Sequence, residues 1–122
     1  GDVGIGVSNP THKLDIVGGA YCDGGAWVAG SSREYKENIT DLTLNEAMNA
    51  LENLAPVKFN YKINKEEEYM GFIAEDVPEL VATNERNGVA PMDVIAVLTK
   101  VVQQQQKAIT KLEKKIEELD NR

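Results

Sequence analysis

The chain has 122 residues, 42% of them hydrophobic and 27% charged, which is one domain's worth of sequence with apolar material for a modest core. A net charge of −7 argues against nucleic-acid binding, because phosphate recognition needs clustered lysine and arginine that the chain lacks. One cysteine, Cys22, and one histidine, His12, make neither an internal disulfide nor a four-ligand zinc site, so no metal or cofactor is expected.

The N-terminal stretch lacks the charged-then-apolar layout of a signal peptide, and no run approaches the roughly 18 apolar residues of a membrane span. Residues 1–30 instead read as short strands and turns. Val3, Ile5 and Val7 alternate with Gly4 and Gly6, the period-2 pattern of a strand with close backbone approach. Ser8-Asn9-Pro10 is a turn signal, and Lys13 to Val17 is a second alternating run that Gly18-Gly19 breaks. Ala26 to Ala29 is a third. Three short strands cannot bury both faces unaided, so this segment reads as the end of something longer, or as a piece that pairs with other chains.

Gly30 to Ile39 is the pivot between this glycine-rich quarter and the rest. Ser31 follows a glycine, and Lys36 stands five residues on. A self-cleaving backbone needs that set: a hydroxyl nucleophile, an amine as base, and little bulk at the scissile carbonyl. The same residues also read as a capping box, Ser31-x-x-Glu34, opening a helix. In a continuous helix, side chains five apart leave a common face, so a Ser31–Lys36 pair requires Ser31 to lie just outside the helix, extended or at its N-cap. Free lysine titrates near about 10.4, so Lys36 needs desolvation to act as a base, whereas Glu34 and Glu37 oppose that change. The expectation is that packing against neighbouring chains supplies the desolvation.

Thr43 is the expected N-cap of a helix over 44–54, with Glu46 completing its capping box and Leu44, Ala47, Met48, Leu51 and Leu54 on one face. Val57, Phe59 and Tyr61 alternate with polar residues as a strand. Asn64 to Glu68 reads as a charged loop and Tyr69 to Ile73 as the returning strand of a hairpin. Ala74 to Leu80 reads as a turn or short helix around Pro78. The acidic groups at Glu66, Glu67 and Glu68, and at Glu75, Asp76 and Glu79, read as solvated surface.

From Pro91 the pattern is one long helix, with proline in the first turn and Asp93 at the positive end of the dipole. Ile95, Leu98, Val102, Gln105, Ile109, Leu112, Ile116 and Leu119 keep a strict four-and-three alternation, which is the core of a coiled coil. β-Branched residues at a and leucine at d lean toward two strands, and Gln105 is a polar core position able to fix register.

Gly1-Asp2-Val3-Gly4-Ile5-Gly6-Val7-Ser8-Asn9-Pro10-Thr11-His12-Lys13-Leu14-Asp15-Ile16 resembles the repeat upstream of C-terminal processing domains in phage tail fibres and trimeric adhesins. Ser31-Ser32-Arg33-Glu34-Tyr35-Lys36-Glu37-Asn38-Ile39 is similar to the start of the intramolecular chaperone auto-processing domain of endosialidase tail spikes and phage neck appendages. The Gly71 to Leu80 block and the glutamine-rich closing helix resemble the same family. The resemblance implies a self-cleaving serine endopeptidase with Ser31 as nucleophile, Lys36 as base and the cut between Gly30 and Ser31. The family carries aspartate directly after the nucleophile, where this chain has Ser32.

The expected fold is α+β: a β stem over 1–30, an auto-processing region with a small helix and hairpin over 31–90, and a coiled-coil helix over 91–122, which the resemblance, against the a/d rule, implies is a homotrimer with three chains packed around Lys36. The expected partner is the upstream fibre of the same chain, and the expected setting a phage tail fibre or appendage assembled in the host cytoplasm, with the released fragment not retained in the virion. The competing expectation is a trimerisation foldon that does not cleave, with Ser31 as a helix cap.

Overall fold

The computed structural model describes residues 1–122, and the chain divides into two units, Gly1–Asp41 and Leu42–Arg122. The architecture is α+β.

In the first unit a four-stranded sheet runs in the order β1 (Val3–Ile5), β2 (Leu14–Ile16), β3 (Ala20–Cys22) and β4 (Trp27–Val28). β1 and β2 are parallel, with the Val3 N–H donating to the Lys13 carbonyl and the Val17 N–H to that of Ile5, both at 2.9 Å. The first strand stops short of Val7 because Gly6 turns into the left-handed region at φ +71°. Asp15 organises the turn ahead of β2: its carboxylate accepts from the Thr11 and His12 N–H groups at 2.7 and 3.2 Å. It also meets His12 Nδ1 at 2.9 Å, and the His12 ring stacks on Tyr21 with centroids 3.6 Å apart.

Gly18 and Gly19, expected only as a break, lie in the loop of a β2–β3 hairpin, with φ of +97° and +93°. β3 was missed from the sequence because three residues after a double glycine carry no periodic signal. No side chain of this unit is fully buried; Val3, Ile5, Val17 and Trp27 are 55–70% exposed.

The second unit carries the core. Helix α1 (Leu44–Asn53) starts on the expected capping box: Thr43 Oγ1 accepts from the Glu46 N–H at 3.3 Å, and Glu46 Oε1 accepts from the Thr43 N–H at 3.0 Å. Its buried residues are Ala47 and Ala50, which let a second helix approach closely, while Met48 is 42% exposed. That second helix is α2 (Pro91–Asp120), which contributes Val94, Val97 and Val101; Val77 and Val81 complete the cluster. The latter come from the segment around Pro78, which is two 3₁₀ turns, Ala74–Asp76 and Glu79–Val81.

β5 (Val57–Tyr61) and β6 (Asn64–Gly71) form the hairpin, but β6 begins five residues before the expected strand. The chain reverses over Lys62-Ile63, so Tyr61 pairs with Asn64 and the glutamates at 66 to 68 lie in the strand. The register is irregular between Phe59 and Tyr61, where Asn60 Nδ2 donates to the Glu67 carbonyl at 2.7 Å and satisfies it across the irregularity.

Candidate functional site

Ser31 and Lys36 meet in the first unit. Lys36 Nζ donates to Ser31 Oγ at 2.7 Å, and both side chains are exposed. The spacing works because the intervening chain is not a continuous helix. Arg33–Tyr35 form one 3₁₀ turn, flanked by extended Ser32 (φ −63°, ψ 145°) and extended Lys36 (φ −123°, ψ 151°), and this single turn brings Lys36 back over Ser31.

The cap of that turn is Ser32, not Ser31. Ser32 Oγ accepts from the Glu34 N–H at 3.4 Å, so the capping reading of Ser31-x-x-Glu34 is displaced by one residue and Ser31 keeps its hydroxyl for Lys36. Serine and aspartate are interchangeable as N-caps, so Ser32 can do here what an aspartate would do as a cap.

The backbone before Ser31 is tightly enclosed. A Cβ added at Gly30 would run into the Gly18 carbonyl oxygen and stand 2.9 Å from its carbon and 3.0 Å from the Gly19 carbonyl carbon. Gly19 in turn lies beneath the Tyr35 ring, whose Cε2 would be 2.5 Å from a Cβ placed there. Gly18, Gly19 and Tyr35 were not singled out from the sequence. The double glycine was the available signal, but nothing linear connects it to residue 30.

In the second unit, the heptad positions of α2 do not serve the core of the single chain. Ile95, Leu98, Val102, Ile109, Leu112, Ile116 and Leu119 are 42–59% exposed, and Gln105 is exposed on the same stripe. The core uses Val94, Val97 and Val101, one position ahead of Ile95, Leu98 and Val102. From Val102 to the end of the helix no residue is buried.

An apolar groove of about 660 Å³ lies in this unit, lined by Phe59, Met70, Phe72, Val89 and Ile95 among others, with Glu75 its one charged residue. It has no convergent polar set of the kind that catalysis on an outside substrate needs. Members of both acidic groups have ordinary partners. Glu67 accepts from the Tyr69 hydroxyl at 2.9 Å, and Glu79 from Arg86, whose other nitrogen donates to the Val77 carbonyl. No helix is long and apolar enough to cross a membrane.

Neither the curated proteins nor the solved structures yield a match to the chain. A peptidase family model described as "Chaperone of endosialidase" matches residues 31–84. The matched segment contains Ser31, Lys36 and the Gly71 to Leu80 block. The similarity of residues 31–84 to that family supports the intramolecular chaperone domain that the resemblance implied.

Proposed function

We propose that this chain is the C-terminal intramolecular chaperone of a phage tail fibre or spike, and that it releases itself by one cut between Gly30 and Ser31. The observation that carries this reading is the 2.7 Å contact between Lys36 Nζ and Ser31 Oγ, with Gly30 immediately before the serine. The family match beginning at Ser31, the residue that would become the new N-terminus, supports it.

In the resting contact the amine donates. An amine in water is an ammonium and takes no proton, so the reaction requires the neutral form. With Lys36 neutral, Ser31 Oγ attacks the Gly30 carbonyl carbon and its proton passes to Lys36 Nζ. Lys36 then gives that proton to the Ser31 nitrogen as the C–N bond breaks. The product is an ester between Gly30 and Ser31 Oγ, which water hydrolyses to a Gly30 carboxylate and a free Ser31 amine.

Both side chains are exposed in the single chain, which supports an activation that waits for assembly. Desolvation disfavours the ammonium, and a neighbouring chain is what can supply it here. The exposed α2 stripe gives the means of assembly: three copies bury Ile95, Leu98, Val102, Gln105, Ile109, Leu112, Ile116 and Leu119 against one another and register the stem segments over 1–30. After cleavage the element that allowed assembly is gone, so the upstream fibre is kinetically hard to unfold. In this account the functional divisions are the stem over 1–30, the processing region over 31–90 and the trimerisation helix over 91–122.

A second reading is a trimerisation module that never cleaves. Exposure of Ser31 and Lys36 favours it, although the cap role it assigned to Ser31 belongs to Ser32. Mass analysis of folded wild-type chain beside Ser31→Ala and Lys36→Ala separates the two. Self-cleavage yields a fragment starting at Ser31 from wild type alone. A wild type that stays whole as a stable trimer refutes it.

A further inference from the structure

The Gly30–Ser31 bond sits in a cradle made by the stem itself. The β2–β3 loop brings Gly18 and Gly19 up with φ of +97° and +93°, a conformation in which residues with a Cβ are strained. Against this loop the chain makes two contacts, one on each side of the bond. On the upstream side, Gly30 lies so close to the Gly18 carbonyl that no Cβ fits. On the downstream side, the Tyr35 ring covers Gly19, leaving no room for a Cβ there. Tyr35 ends the 3₁₀ turn whose other neighbours are Ser32 as cap and Lys36 as exit, so the residue that meets Gly19 directly precedes the one that carries the amine.

We propose that the Gly18–Gly19 loop and the Tyr35 ring form a clamp that positions the Gly30–Ser31 peptide under Ser31 Oγ, and that position 30 accepts only glycine. The inference rests on the self-cleavage reading and adds to it the residues that hold the bond. Tyr35, Gly18 and Gly19 are positioning residues, since none of them exchanges a proton or electron pair with the reacting atoms. The glycine requirement is set by backbone: the obstructing atoms are the carbonyl groups of Gly18 and Gly19, which cannot swing aside as a side chain would. An alanine at 30 must retreat by about an ångström, and a misplacement of that size costs about a hundredfold in rate. The clamp further makes the cut depend on the stem, because the loop exists only when β2 and β3 pair.

The test is a cleavage time course on the full chain for wild type, Gly30→Ala, Tyr35→Leu and Tyr35→Phe, each across a pH series. In parallel, proton NMR is recorded on the same chains in the uncleavable Ser31→Ala background. The clamp predicts that Tyr35→Phe, which keeps the ring, cuts at the wild-type rate. Gly30→Ala and Tyr35→Leu slow by about a hundredfold, with no shift in the midpoint of the pH–rate profile. The ring above Gly19 predicts an upfield Gly19 Hα resonance that Tyr35→Leu abolishes while the β1–β3 amide pattern stays in place. Wild type that cuts, with Tyr35→Leu and Gly30→Ala cutting equally fast, overturns the clamp alone. Loss of the sheet's amide pattern in Tyr35→Leu makes the ring a structural prop and also overturns it. Wild type that never cuts overturns the self-cleavage reading, and the clamp with it.

Discussion

Val97 and Leu98 are adjacent on α2, yet Val97 is 1% exposed and Leu98 is 42% exposed. The helix carries two apolar faces about 100° apart, one used within the chain and one left uncovered. Val97→Asp places an unpaired carboxylate in the core and is expected to abolish folding of the second unit, read as loss of the cooperative thermal transition. Leu112, 57% exposed, lies outside the core of the single chain, and Leu112→Asp leaves that core untouched. It is expected to leave the α1–α2 core amides intact while sedimentation shows dissociation to monomers.

Gln105 is the polar member of that uncovered stripe. Polar residues at such positions fix oligomer state at a cost in stability. Gln105→Leu is therefore expected to raise the melting temperature of the assembly and to broaden its oligomer distribution, measured by sedimentation velocity.

Lys36→Arg keeps the positive charge and reach but puts in place a group that stays protonated. Loss of a general base slows a reaction by about 10² to 10⁴-fold, and cleavage is expected to fall by that factor. Because Lys36 is exposed, the melting temperature is expected to be unchanged. An arginine chain that cuts normally removes Lys36 from the reaction.

Ser32→Asp preserves an N-cap and Ser32→Ala removes one, a difference of about 1 kcal/mol in a helix. Cleavage is expected to persist in the aspartate chain and to slow in the alanine chain, as the turn holding Lys36 loosens. Intact mass against time reads both.

Asp15 gives the first unit a pH dependence. The Thr11 N–H bond, together with contacts from His12, holds its carboxyl below the ordinary value against the opposing effect of burial. A carboxyl lowered in the folded state contributes stability that is present above its unfolded value of about 3.9 and is lost as pH falls through the lower folded value. The NMR signals of the first unit's sheet are accordingly expected to weaken only below about pH 4, and Asp15→Asn to remove that dependence.

Much of the second unit was legible because its signals are local. The Thr43 and Glu46 box, the alternation from Val57 and the heptads after Pro91 each encode an element within a few residues. What escaped was set by contacts between distant positions. The buried face of α2 at Val94, Val97 and Val101 was masked by the stronger seam beside it, and Met48 was placed on a buried face that Ala50 occupies instead. The reversal at Lys62-Ile63 carries none of the glycine or asparagine that marks two-residue turns, so the start of β6 was read as loop. In the site, Ser31 and Lys36 were legible from residue type and spacing. The one-residue displacement of the cap to Ser32 depends on a 3₁₀ turn replacing a longer helix, and the meeting of Gly30 with Gly18 spans a hairpin that the sequence did not display.

The most direct test of assembly-activated cleavage is an intact-mass time course on freshly refolded chain over a dilution series, with sedimentation at each concentration. The account predicts a fragment beginning at Ser31 wherever trimer is present, at a rate that falls as dilution produces monomer. Equal cleavage by monomer, or a trimer that yields no Ser31 fragment, would contradict it.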